Sequence, residues 1–212
     1  MGNTASIIAS SGDLYVCSEL QSMSNTNVTV TSLAIMQRPL GSIGGFQRSG
    51  KLLIPGLGQH EYIIVDLSSE KFILAEKLGK TRLRPAGIHM VILENDPDTG
   101  YCRHKCNLLG ITMKASELIQ ILGSDRPDYN LFTANCWKYA FHAAQNILKR
   151  CITDPDITST AREFLQNELQ GLLDYEKNSP ARYRPIGFAK HHPEYLKSYR
   201  SVIPIANQGT GY

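Results

Sequence analysis

The chain has 212 residues, 42% hydrophobic and 19% charged, with a formal net charge of +3. Such a composition suits a globular protein long enough to bury a core without covalent staples, and no Lys/Arg stripe interleaved with aromatics provides a footprint for nucleic acid. Five cysteines, an odd number, with no secretory apolar segment and no run long enough to span a bilayer, predict free thiols in a reducing, cytoplasmic compartment.

The first residues, MGNTAS, fit the pattern M-G-x-x-x-[ST], with Gly2 as the acceptor of a myristoyl chain and Ser6 in place. One acyl chain holds a protein at a membrane weakly and reversibly, so peripheral contact with the cytosolic face of a membrane is expected through Gly2. Residues 1–27, rich in Ser, Asn and Thr, read as a flexible arm. Asn27-Val28-Thr29 matches a glycosylation sequon, which is inert in a cytosolic protein. The β-branched run from Asn27 to Met36 predicts a strand. Gly41 to Gly50 is a glycine-rich loop without a G-K-[ST] ending or G-x-G-x-x-G, so no cofactor is expected there, and Leu52 to Pro55 reads as a short strand. His60 to Asp66 and Lys71 to Ala75, separated by the polar turn Leu67 to Glu70, read as a β-hairpin. Ile88 to Leu93 is a further strand, and Glu94 to Gly100 a turn cluster.

The period then changes. Thr112 to Leu122 places Ala115, Leu118, Ile119 and Leu122 on one helical face, with Gly123 as C-cap. A second helix runs from Cys136 to about Lys149 with the stripe Trp137, Ala140, Phe141, Ala144, Ile147 and Leu148. Lys149 and Arg150 suit the negative end of its dipole. Thr160 and Glu163 form a capping box for a third helix carrying Phe164, Leu165, Leu169 and Leu172. Residues 178–212, rich in Pro, Tyr and basic side chains, read as a tail. Residues 28–177 thus form a single α+β domain, strands first and helices after.

Cys136 is the residue with a chemical consequence. At a helix N-terminus, backbone N–H groups and the macrodipole favour negative charge, which lowers a thiol pKa and raises the thiolate fraction. A thiolate nucleophile also needs a base within hydrogen-bond reach. Of six histidines, His142 lies on the same helix, about 120° off Cys136, and is a poor partner. His104 lies in the turn-rich stretch Tyr101 to Cys106, and His191 and His192 lie in the tail. His60 and His89, both on predicted strands, remain as candidates for the base. Cys102-x-His104-x-Cys106 lacks the second ligand pair of a structural metal site, so no metal is expected.

The strand pair HEYIIVDL and KFILAEKL, with the box YNLFTANCWKYA, resembles the lecithin retinol acyltransferase-like family of permuted papain-like thiol enzymes. There too a histidine opens the first strand and Asn-Cys opens a helix, with histidine before cysteine. The resemblance spans roughly Leu57 to Arg150. It implies a circularly permuted papain-like fold, with an antiparallel sheet packed on the helix that bears Cys136 at its N-terminus. It also implies His60 as the base. Two positions depart from the family. Glu61 stands where an aromatic is usual, and the partner strand has no second histidine to orient the first; Glu76 is the nearest polar candidate for that task. The implied activity is a thiol-dependent acyl hydrolase or acyltransferase acting on an acyl-ester, lipid or protein substrate. The alternatives are a cysteine peptidase or isopeptidase on the same fold, and a binding module with a degenerate site.

Overall fold

The computed structural model describes residues 7–10, 14–39, 59–79, 86–94, 101–125 and 136–178. Gly2, the loop over 41–50, the strand expected at Leu52 to Pro55, most of the 94–100 turn and all but the first residue of the tail lie outside the described residues. The chain divides into two units. The first comprises Met1–Arg38 with His60–Glu176, and the sheet, the helices and the candidate site belong to it. The second, Pro39–Gln59 with Lys177–Tyr212, has among its described residues only the ends of β3, β4 and α4.

The fold is mixed α+β. Seven strands, β1 (Ile7–Ser10), β2 (Leu14–Cys17), β3 (Asn27–Pro39), β4 (Gln59–Leu67), β5 (Phe72–Leu78), β6 (Gly87–Leu93) and β7 (Tyr101–Lys114), form one sheet in the order β1-β2-β6-β5-β4-β3-β7. The helices among the described residues are α1 (Ser18–Ser22), α2 (Ala115–Leu122), α3 (Cys136–Ile152) and α4 (Ser159–Asn178). The expected hairpin is β4–β5, antiparallel with Ile63 opposite Ala75 and Val65 opposite Ile73. β5 and β6 continue antiparallel, with Glu76 opposite His89. The sheet is not antiparallel throughout: β2 runs parallel to β6, with Tyr15 opposite His89.

Two sequence expectations need correcting here. Much of the stretch read as an arm over residues 1–27 is structured: β1 and β2 pair, and Val16, Cys17 and Leu20 are buried in the main core. Their apolar side chains outweigh the polar residues around them. The stretch from Tyr101 to Cys106 is strand, not turn; it begins β7, which pairs with β3 along most of its length. β7 is interrupted midway, where Leu109 (φ 57°) and Gly110 (φ 74°) adopt left-handed backbone and the Asn107 side chain accepts from the Leu109 N–H. That local signature, Asn-Leu-Leu-Gly, reads as a turn in isolation.

The helices follow the same logic with small shifts. The buried residues of α3 include Tyr139, Ala140, Phe141, Ala143, Ala144, Ile147 and Leu148. Trp137 is half-buried outside this face, and Tyr139 takes the place given to it in the expected stripe. α4 is capped by Thr158, whose Oγ1 accepts from the Ala161 N–H at 3.2 Å, not by Thr160. Gly123 is the C-cap of α2, its N–H reaching the Ile119 carbonyl at 2.8 Å. α2 and α3 are tied together by Arg150, which bonds both Glu117 and Asp154. α4 is fixed by Tyr175, stacked between His104 and Phe141, and by Glu168 accepting from the Asn107 N–H.

Candidate active site

Three elements bring one side chain each to a common point. His60 is the second residue of β4, and Glu76 lies two residues from the end of β5. The hairpin is antiparallel, so both belong to the same end of it. Cys136 is the first residue of α3. All three are buried, with 3% exposure for His60 and Cys136 and 6% for Glu76.

His60 Nε2 meets Glu76 Oε2 at 2.8 Å, and the imidazole is also hydrogen-bonded to the Cys136 side chain. With Nε2 turned to the carboxylate, Nδ1 is the ring nitrogen left for the sulfur. Burial by itself pushes the His60 imidazole down. The hydrogen bonds to Cys136 and Glu76, and the negative charges behind them, more than reverse this and raise it from 6.5 to about 9. Near neutral pH the proton therefore resides on His60, between a sulfur and a carboxylate. A protonated imidazole between a carboxylate and a sulfur is an arrangement that would favour the thiolate form of that sulfur.

The structure thus brings together Cys136, His60 and Glu76, the residues singled out from the sequence. His89, the other candidate base, stands across from Glu76 on β6 and stacks on Tyr15 with ring centroids 4.6 Å apart. His142 is exposed on α3, as its helical offset from Cys136 requires. Cys102, His104 and Cys106 lie along β7, with His104 stacked on Tyr175 and Cys106 fully buried. Burial and Glu168 push the Cys106 thiol up to about 12. Burial likewise pushes Cys151 up to about 12. Among the described residues no group of three or more His, Cys, Asp or Glu could hold a metal ion, and no helix is long and apolar enough to cross a membrane.

Sequence reasoning missed a further set of buried polar groups. Lys77, the residue after Glu76, is wholly buried, and its Nζ donates to Asp125 Oδ2 at 3.0 Å. Tyr139 lies three residues after Cys136, hence on the same face of α3, and is also wholly buried. Its hydroxyl has no hydrogen-bond partner among the described residues. Burial raises the Tyr139 phenol well above its ordinary value, and the Asp125 and Glu76 carboxylates raise it further. Beside Glu61, also buried, the Gln37 side chain donates across a long 3.5 Å. A groove of about 340 Å³ runs between the end of α2 and α3, lined by Ser124, Asp125, Tyr139, His142, Asn146 and Lys149 among others. The signal available in the sequence for these groups was weak: a lysine and a tyrosine inside otherwise apolar runs.

Comparison of the chain with models of protein families, with curated proteins and with solved structures finds no match. The functional reading therefore rests on the residues and their geometry.

Proposed function

We propose that the chain is a thiol-dependent acyl hydrolase or acyltransferase with Cys136 as nucleophile, His60 as acid and base, and Glu76 as the residue that orients His60. The observation that carries this is the hydrogen-bonding of one buried imidazole to both the sulfur at the start of a helix and a carboxylate. The Cys136 thiolate attacks an ester, thioester or amide carbonyl, forming the C–S bond. The developing oxyanion is met by the backbone N–H of Cys136 at the helix N-terminus. As the bond to the leaving group breaks, imidazolium gives that group its proton. Neutral His60 then takes a proton from water, or from an acceptor alcohol or amine, as that group attacks the acyl-enzyme and frees the thiolate. Water gives hydrolysis, and an alcohol or amine gives transfer. The resemblance to the lecithin retinol acyltransferase-like family and its permuted papain-like fold agrees with this arrangement. The acylation pattern at Gly2 favours a lipid ester presented at a membrane surface, with the acyl chain as the peripheral anchor.

A specific observation favours a second reading, a binding module with a degenerate site. Sulfur and imidazole are both buried, and the groove between α2 and α3 is not lined by Cys136 or His60. Trapping separates the two readings. After incubation with a p-nitrophenyl ester or a long-chain acyl thioester, mass spectrometry of the enzyme reading finds the acyl group on the Cys136 peptide of the wild type and none after His60→Ala. No adduct on Cys136 with ester, thioester or peptide amide selects the module.

A further inference from the structure

Given the roles proposed above for His60, Glu76 and Cys136, we infer that Tyr62 is a positioning residue for the same site: its ring, stacked on the His60 imidazole, fixes the plane of that imidazole and favours its protonated form. Tyr62 follows His60 by two residues in β4, and side chains two apart on a strand share a face. The two rings are stacked, with centroids 6.2 Å apart and planes 19° from parallel, within the usual range of aromatic pairs. Register carries the same face across the hairpin. Ile64 stands opposite Leu74, and Glu76, two residues after Leu74, lies on that face as well. Tyr62, Ile64 and Leu74 form a buried apolar cluster of their own, with Met36, Phe72, Val91 and Leu93 packed against it. His60 and Glu76 therefore continue this cluster toward one end of the hairpin, and Tyr62 is the cluster residue next to His60.

The hydrogen bonds to Glu76 and Cys136 hold the His60 ring at its two nitrogens. They leave one freedom, rotation about the line joining those nitrogens, which tilts the ring and bends both bonds away from linear. Hydrogen bonds weaken as they bend. A second ring stacked on the imidazole opposes that tilt, provided the second ring is itself fixed. Tyr62 is wholly buried between its apolar neighbours and meets that condition. Charge adds to this. The face of a tyrosine ring carries the negative part of its quadrupole, so it attracts a cation more than a neutral ring. Burial works against the imidazolium, and the aromatic face works for it. Among the described residues, the titratable groups turned to this assembly are Glu76 on β5, Cys136 on α3 and His89, which stands across from Glu76 on β6. Glu61 and Lys77, each one residue along its strand, alternate to the opposite face.

The test is an NMR titration of the His60 imidazole in the full chain, assigned with His60→Ala and compared among wild type, Tyr62→Phe and Tyr62→Leu. Phenylalanine keeps the aromatic face, and leucine fills the site without one. Amide spectra and near-UV circular dichroism verify that each variant is packed. The expected result is a fall of about 0.4 to 0.7 pH unit in the His60 midpoint for Tyr62→Leu, the lower part of the range for a cation on an aromatic face. Tyr62→Phe should titrate as the wild type does. A side chain that only fills space leaves the midpoint where it was, and that result in a packed Tyr62→Leu protein overturns the inference. A rise overturns it too, as does an equal fall in Tyr62→Phe, which gives the effect to the hydroxyl. Should Tyr62→Leu lose its packing, pentafluorophenylalanine placed at position 62 keeps the shape of the ring and reverses the charge of its face. The His60 midpoint should then lie below that of Tyr62→Phe, and equal midpoints overturn the inference. The readout needs no substrate. Failure of every acyl substrate to react, with these shifts present, counts against the proposed activity, whereas an unmoved midpoint in a reactive protein counts against Tyr62.

Discussion

At the residue scale the proposed chemistry turns on the charge of one imidazole. Glu76 and Cys136 together hold the proton on His60 against burial. Glu76→Gln keeps the shape and removes the charge, so the His60 midpoint should fall by about 1 to 3 pH units, the usual effect of an opposite charge at contact distance. An imidazole titration of that variant checks it, and an unmoved midpoint would remove Glu76 from the site. The same shift is a statement about stability. The folded value, about 9, lies above the unfolded value of 6.5, so the pair's contribution is complete below about pH 6.5 and lost as pH rises through about 9. The excess stability of the wild type over His60→Ala, followed by urea unfolding, should therefore be largest in mild acid and shrink with alkalinity. A gap independent of pH would contradict the assignment.

At the scale of elements, β2 and α1 show where sequence and fold part company. Leu20 is wholly buried in the main core, although it comes from a segment read as a free arm. Leu20→Ala should cost about 2 to 5 kcal/mol, as for other core leucines, and a chemical denaturation curve within error of the wild type would return the segment to the solvent. The parts legible in advance were those with a local period: the β4–β5 hairpin, β6, the body of α2 and the long α3 with Cys136 at its start. The missed parts owe their structure to distant partners. β2 exists because β6 offers a parallel edge, and β7 because β3 pairs with it on both sides of a left-handed Leu109-Gly110 step. The candidate site was legible as far as residue types at element ends allow. Cys136 announced itself by its place before a helix, whereas His60 stood level with His89 until the resemblance of the strand pair implied it, and Glu76 entered only as the nearest polar side chain on the partner strand. Tyr139 and the Lys77–Asp125 pair did not announce themselves, because a tyrosine on a helix face and a lysine near a strand end ordinarily read as packing and surface.

Across the whole molecule, the cysteines report on the environment of the chain at widely separated places. Cys102 is exposed on β7, whereas Cys17, Cys106, Cys136 and Cys151 are all buried. Burial alone ranks Cys136 with Cys106 and Cys151, whose thiols stand at about 12 and stay protonated near neutrality. Under the proposed function Cys136 differs from these, because a neighbouring imidazolium and a helix N-terminus both favour a thiolate. Peptide-resolved alkylation of the intact protein by iodoacetamide near neutral pH tests this without any knowledge of the substrate. The account predicts that Cys136 reacts faster than Cys17, Cys102, Cys106 and Cys151 in spite of its 3% exposure, and that His60→Ala slows Cys136 alone. A Cys136 rate as slow as those of Cys106 and Cys151, unchanged by His60→Ala, would contradict the claim that this chain carries an activated thiol.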